Sequence, residues 1–249
     1  RFLYDNSIIP MNIIHSAYRY KVKKLINVGS SCMYPRLCPQ PMKEEYLLSG
    51  KLEPTNEGYA IAKILSVKLC ETYNNQYGTN FFSLIPSNIY GIHDRFEPQR
   101  SHVIAGLISK LTKAKEKNQP IVTMWGTGVA RREFINAADV ARGMLYFMEN
   151  YNASDLDFSY CNLGTGTDTS IKELAELVGR AVGYEGTYEW DATKPDGMPQ
   201  KVLDVTRMKK YNFSPTIGLE QGIAQTVAWY QQAKQVNNVS FIKRREALS

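Results

Sequence analysis

The chain has 249 residues, 43% of them hydrophobic, which is enough to bury a sizeable core as one or two domains. Lys and Arg number 30 against 24 Asp and Glu, and the net charge of +6 suits acidic ligands, although the Lys243-Arg244-Arg245 tail explains it equally well. No apolar run approaches the ~18 residues of a membrane span, no signal peptide opens the sequence, and no aromatic–basic interleaving favours nucleic acid, so a cytoplasmic protein is expected.

Residues Asn6 to Tyr20 place Ile9, Ile13, Ile14 and Ala17 near helical spacing, with Pro10 disturbing the first turn. Leu25 to Gly29 reads as a strand. The loop from Met33 to Asn56 is rich in proline and charge and too long for a passive connector. Tyr59 to Tyr77 reads as a helix with apolar residues on more than one face. Asn80 to Ile85 is the next strand, ended by Pro86-Ser-Asn-Ile-Tyr-Gly91. Ile104 to Lys117 is an amphipathic helix whose Lys110, Lys113, Lys115 and Lys117 form mostly a solvated face. Val122 to Phe134 holds a strand, a tight Gly126-Thr-Gly128 turn and the pair Arg131, Arg132. A helix runs from Asn136-Ala-Ala-Asp139 to Met148, with Asn136 or Asp139 at its amino end. Phe158 to Leu163 is a further strand. Ser170-Ile-Lys-Glu173 has capping-box spacing, and Ile171, Leu174, Ala175, Val178 and Val182 make a core-facing stripe. Lys194-Pro-Asp-Gly197 is a turn before a Val202–Thr206 strand, and Leu219 to Gln232 is the closing helix. The last dozen residues read as a mobile tail.

Cys32, Cys38, Cys70 and Cys161 show no CxxC spacing, so neither a metal site nor a redox pair is indicated, and a reducing compartment is expected. Strands alternating with helices give an α/β chain with a parallel sheet. A dinucleotide fold would open with a βαβαβ half of roughly 80 residues, carrying a glycine-rich turn. No such turn follows an early strand here. Gly164-Thr-Gly166 lies late and precedes a different kind of helix. The expectation is an α/β chain lacking that first half, with its first strand at an exposed edge.

The chemistry concentrates at Tyr59 and Lys63, one helical turn apart and on one face. A phenol near pKa ~10 is a poor acid at neutral pH, and a cation beside it stabilises the phenolate. Ser30, at the end of the preceding strand, can donate to the same substrate oxygen. This is equipment for reducing a ketone. The same spacing recurs at Tyr20/Lys24 and Tyr230/Lys234, so it does not by itself separate catalysis from surface decoration. An arginine of the Arg131-Arg132 pair can grip a phosphate with two parallel bonds, and Trp125 offers a flat stacking face.

Gly29-Ser-Ser-Cys-Met-Tyr-Pro35, Gln40-Pro-Met-Lys-Glu-Glu-Tyr46 and Leu52-Glu-Pro-Thr-Asn-Glu-Gly-Tyr-Ala-Ile-Ala-Lys63 resemble the GDP-L-fucose synthases, in the extended short-chain dehydrogenase/reductase family. The likeness runs from about Leu3 to Tyr230. It implies a Rossmann-type parallel sheet lacking its first βαβαβ half, with residues 1–87 and 133–164 as the remainder of the NADP-binding domain. Residues 88–132 and 165–249 would form a smaller α/β domain for a GDP-sugar. The implied activity is NADPH-dependent 3,5-epimerisation and 4-reduction of GDP-4-keto-6-deoxy-mannose. The implied catalytic residues are Ser30, Cys32, Tyr59, Lys63 and His102, with Cys32 and His102 as the acid and base of epimerisation. Thiols (~8.5) and imidazoles (~6.5) both exchange protons near neutrality. Val28, Gly29, Ser30, Ser31, Lys63, Pro86, Ser87, Asn88, Ile89 and His102 would meet NADP(H). Lys110, Trp125, Arg132 and Asp196 would bind the GDP-sugar, Arg131 being a surface charge, and the first two helices would form a homodimer. Where the family has a proline two residues after Val103, this chain has Ala105, expected to change the helix start and not the chemistry. A related substrate, such as a GDP-deoxyheptose, uses the same residues. A non-catalytic sugar-nucleotide-binding fragment is the reading from another class.

Overall fold

A computed structural model of the chain describes residues 1–236. The basic tail and the closing mobile segment expected from the sequence lie outside the described residues. In chain order the elements are α1 (Phe2–Arg19), β1 (Leu25–Val28), α2 (Glu57–Tyr77), β2 (Phe81–Pro86), β3 (Asn88–Tyr90), α3 (Val103–Glu116), β4 (Ile121–Trp125), β5 (Arg131–Arg132) and β6 (Phe134–Asn136). They continue as α4 (Ala137–Asn150), β7 (Tyr160–Leu163), β8 (Thr169–Ser170), α5 (Ile171–Val182), β9 (Thr187–Asp191), β10 (Gln200–Lys201), α6 (Thr206–Lys210) and α7 (Leu219–Val236). The chain divides into two units. The first comprises Arg1–Ile89, Val129–Ser170 and Asp196–Thr216; the second comprises Tyr90–Gly128, Ile171–Pro195 and the chain from Ile217 on.

In the first unit a parallel sheet runs in the order β1-β2-β7, with Val28 opposite Leu84 and Leu84 opposite Cys161. Every residue of β2 is buried, whereas β1 is half-buried and pairs on one side only among the described residues. The largely apolar run Phe81–Pro86, interrupted only by the hydrogen-bonded Ser83, suits a central parallel strand. α2 buries Ala60, Ile64 and Val67 on one side, and Cys70 joins Ile14 and Ala17 of α1 and Phe81 of β2 in a second small core. Asn27 Nδ2 reaches Ser66 Oγ at 3.1 Å and Ser83 Oγ at 3.0 Å, which ties β1, α2 and β2 together. α2 stops at Gly78, whose left-handed backbone (φ +64°) closes the last turn onto Asn74 O. The main core gathers Met33, Tyr34, Met42, Leu84, Ile85, Phe147 and Leu163, each worth about 1.5–3 kcal/mol on burial. Pro10 does not break α1, because Ile14 and Ala17 beyond it are packed.

Two expectations are corrected here. Residues 88–89, 129–132, 165–170 and 196–216, expected in the second domain, belong to the first unit, where β10 pairs with β5, β5 with β8, and Leu203, Val205 and Met208 enter the core. The Val202–Thr206 strand is likewise displaced. The ladder occupies Gln200–Lys201, Leu203 makes only an isolated bridge to Met42, and Thr206 already starts a helix.

In the second unit α3 packs on α5 and α5 on α7, burying Ile104, Ile108 and Leu111, Leu174 and Val178, and Ile223 and Val227. β4 pairs in parallel with β9, placing Met124 opposite Trp190. The sequence reading did not include β9. Its half-exposed Thr187–Asp191 alternation carries little apolar signal. Gly128 (φ +78°) takes a backbone that side chains avoid, and a Cβ there would press on the Trp190 ring.

Candidate active site

The turn after β1 is built for close approach. A Cβ on Gly29 would sit tightly against Ile85 Cγ1 at 3.2 Å and Met33 Cε at 3.3 Å, so a side chain here would push its neighbours aside by a few tenths of an ångström. Ser30 is extended, and its Oγ accepts from Cys32 N at 3.2 Å, capping the short 3₁₀ turn Ser31–Met33. That cap fixes where Ser30 and Cys32 stand relative to each other.

One turn into α2, Tyr59 is half-buried, and burial raises its phenol above the ordinary value. A hydrogen bond from Ser30 works against this and the neighbouring Cys32 adds to it. Lys63 donates to Val28 O at 2.8 Å, and its ammonium stands 5.8 Å from the centre of the Tyr59 ring. Burial lowers its pKa. The expected depression of the Tyr59 pKa by Lys63 is therefore corrected: in this state the lysine is engaged with the β1 carbonyl, and desolvation governs the phenol.

At the end of β2, Ser87 is buried and its Oγ has no hydrogen-bond partner, an orphaned donor beside the Pro86-Ser-Asn-Ile segment. Asn88 donates from Nδ2 to Glu133 O at 2.7 Å, and Ile89 is part-exposed.

Arg132 lies on β5, its Nη1 donating to Arg131 O at 2.8 Å and its Nη2 to Asp196 O at 3.5 Å. Burial lowers its pKa while Asp196 and Cys32 act to raise it. Arg131 is not the surface charge expected, since its Nε bonds Asp168 Oδ1 at 2.8 Å and its side chain is less than half exposed. Next to them, Glu133 is fully buried and accepts from the N–H groups of Thr165, of Gly166 (2.9 Å) and of Leu203 (2.7 Å). A Cβ on Gly164 would run into that carboxylate. The Gly164-Thr-Gly166 turn thus cradles an anion of the chain itself.

The first unit therefore brings together Val28 to Cys32, Tyr59, Lys63, Pro86 to Ile89, Arg132 and Asp196. His102, Lys110 and Trp125 belong to the second unit. There His102 takes the N-cap position of α3 without a side-chain capping bond, its side chain largely exposed and Nδ1 3.6 Å from Asp94 Oδ1. α3 begins at Val103, with Ala105 buried in its first turn. Lys110 donates to Thr123 O. Trp125 donates from Nε1 to Pro195 O at 3.0 Å and leaves 65% of its surface exposed. Glu133, Asp94 and Lys201 went unnoticed in the sequence because no local pattern marks them.

A family model described as the NAD dependent epimerase/dehydratase family matches residues 1–160. This chain belongs to that family. It is 47% identical over 234 residues to the GDP-L-fucose synthase of Escherichia coli (strain K12), covering 92% of this chain and 73% of that protein. A GDP-L-fucose synthetase from Naegleria fowleri, solved bound to NADP, superposes with a TM-score of 0.87 at 30% identity, over 94% of this chain and 74% of that one. A GDP-6-OMe-4-keto-L-xylo-heptose reductase from C. jejuni gives the same TM-score at 34% identity, over 93% and 76%. For a member of this epimerase/dehydratase family, the Gly29–Pro35 and Leu52–Lys63 motifs fall where the structure gathers Ser30, Cys32, Tyr59 and Lys63. Among the described residues no helix is long and apolar enough to cross a membrane, and no cluster suited to a metal ion occurs.

Proposed function

We propose that the chain carries out NADPH-dependent epimerisation at C3 and C5 and reduction at C4 of GDP-4-keto-6-deoxy-mannose. The observation that carries this is the grouping in one unit of Ser30, Cys32, Tyr59 and Lys63, a ketone-reducing set with a thiol added. Val28 to Ser31, Lys63 and Pro86 to Ile89 are the residues here that would hold NADP(H), and the orphaned Ser87 hydroxyl fits a polar ligand group. When bound, NADPH supplies hydride.

C3 and C5 flank the C4 ketone, so losing a proton from either places charge on the C4 oxygen. Ser30 and Tyr59 hydrogen-bond that oxygen and stabilise the enolate. Cys32 and His102 serve as acid and base for the ring protons, and Tyr59 gives its proton to the C4 oxygen during reduction. The high pKa of the buried phenol keeps that proton in place until negative charge develops. Arg132 and Lys110 grip the diphosphate, Trp125 offers its exposed face to base or sugar, and Asp196 contacts the nucleotide sugar.

The likeness to a heptose reductase supports a second reading, a related GDP-sugar as substrate. Both readings use the same residues, so substrate assays separate them, and the higher identity to a GDP-L-fucose synthase favours the first. Exposed Ile9 and Ile13 on α1 and Ile61 and Leu65 on α2 support a homodimer through these helices, testable by light scattering. The four free thiols agree with a cytoplasmic protein.

The test runs Cys32→Ser and His102→Asn in D₂O with NADPH, reading deuterium at C3 and C5 by NMR. Each variant should slow exchange ~10²–10⁴-fold, with reduction at C4 better preserved. Wild-type deuterium incorporation in both would sink the epimerase half.

A further inference from the structure

Lys201 is 8% exposed, and its ammonium donates to Cys32 Sγ at 3.2 Å. A lysine is seldom buried without a charged or strongly polar partner. The backbone that carries it is fixed on every side. Lys201 O accepts from Glu133 N at 3.2 Å, and Lys201 pairs in register with Arg132. Val202 N donates to Gln40 Oε1 at 2.9 Å, Val202 O accepts from Met42 N at 2.8 Å, and Leu203 N donates to the buried Glu133 carboxylate. The long side chain starts from a rigid point and ends on one sulfur.

We propose that Lys201 is the positioning residue for proton transfer at Cys32: it aims the sulfur and supplies the positive charge against which a thiolate forms. This rests on the reading of Cys32 as an acid–base group. The other groups facing Cys32 are Arg132 from β5, itself partly balanced by Asp196, the neutral phenol of Tyr59 from α2, and the Ser30 hydroxyl bound to the Cys32 amide. Cys38 also lies within the field of Lys201, but burial outweighs it and raises that thiol. In the step itself the thiolate takes a ring proton and becomes a thiol, while the electron pair moves to the C4 oxygen. Lys201 keeps its own proton throughout and nothing is oxidised.

The experiment measures alkylation of the full-length protein by iodoacetamide at neutral pH, with Cys32 and Cys38 counted separately by peptide mass spectrometry. In the wild type Cys32 should react faster than Cys38. Lys201→Met should slow Cys32 about ten- to a hundredfold, the worth of one hydrogen bond to a charged group, and Lys201→Arg should restore most of the rate. Deuterium exchange at C3 and C5 should fall in parallel, with the KM for the GDP-sugar nearly unchanged. Unchanged Cys32 alkylation in Lys201→Met would overturn the proposal, as would a loss of exchange without a loss of alkylation. If the Met variant does not fold, a wild-type Cys32 no more reactive than Cys38 overturns it equally. Normal exchange in Cys32→Ser would instead remove the role of Cys32 in the reaction, while the alkylation rates still decide the pairing.

Discussion

Lys63 is bonded to the backbone carbonyl of Val28 at 2.8 Å, so the helix that carries Tyr59 is anchored to the last residue of β1. The bond gives a half-buried cation its partner and fixes the distance between the Ser30 turn and the phenol. Lys63→Met leaves that carbonyl short of a donor. It should cost about 1–3 kcal/mol of stability in urea melts, and reduction followed by NADPH absorbance should fall at least tenfold. A variant with full reductase activity and unchanged stability would remove Lys63 from both roles.

Tyr59→Phe removes the proton given to the C4 oxygen but little volume. Reduction should fall ~10²–10⁴-fold, while GDP-sugar affinity by calorimetry stays within a few-fold of wild type. A large loss of affinity with normal turnover would make Tyr59 a binding contact instead.

Asp94 stands 3.6 Å from His102 Nδ1, and its Oδ2 is buried with no hydrogen-bond partner. A carboxylate at this distance helps to set the orientation of the ring. Asp94→Asn should slow deuterium exchange about tenfold, well short of the ~10²–10⁴-fold expected for losing the imidazole itself. An effect as large as that of His102→Asn would mean that Asp94 touches the substrate.

Glu133 holds three backbone N–H groups from two segments in a fully buried position. Glu133→Ala would orphan all of them. Thermal or urea denaturation should show a loss of about 3 kcal/mol or more. Glu133→Gln, which keeps acceptor capacity but replaces the carboxylate, should lose less. Equal stabilities would show that the Gly164–Gly166 turn is held by other contacts.

Alkaline pH should weaken the fold in a predictable window. Burial pushes the Cys70 thiol up to about 12 from 9.0, and the Tyr160 phenol up to about 12 from 10.0. Both groups stay protonated in the folded chain after the unfolded chain has begun to ionise. The stability they contribute is full below pH ~9 and lost as pH rises toward ~12, by about 1.4 kcal/mol per pH unit for each titrating group. Melts between neutral pH and pH ~11 should show this slope, and Cys70→Ala should flatten its first part. A melting temperature independent of pH across that range would contradict the assignment.

Periodicity and punctuation were enough to place α2, β2, α4, β7 and α5: α4 and α5 carry an apolar stripe, β2 and β7 are largely apolar runs, and α2 is a long segment ended by Gly78. The Gly29–Pro35 and Leu52–Lys63 motifs were enough to single out Ser30, Cys32, Tyr59 and Lys63, since chemistry here depends on residue type at fixed local spacing. Short ladders were another matter. β5, β8 and β10 have two residues each, and pairing partners far along the chain, not local pattern, make them strands. Pairing with β5 also moved residues 196–216 into the first unit, a decision that sequence distance hides. The Lys201–Cys32 bond spans 169 positions, and the carboxylate in the Gly164–Gly166 turn comes from Glu133, between β5 and β6. The electrostatics of Tyr59 went the same way: spacing alone put Lys63 beside the phenol, but burial and the Val28 carbonyl set the pKa of each. Local sequence determines which groups are present and which helix face they share. Only tertiary packing decides which of them lose water and what they then bond to.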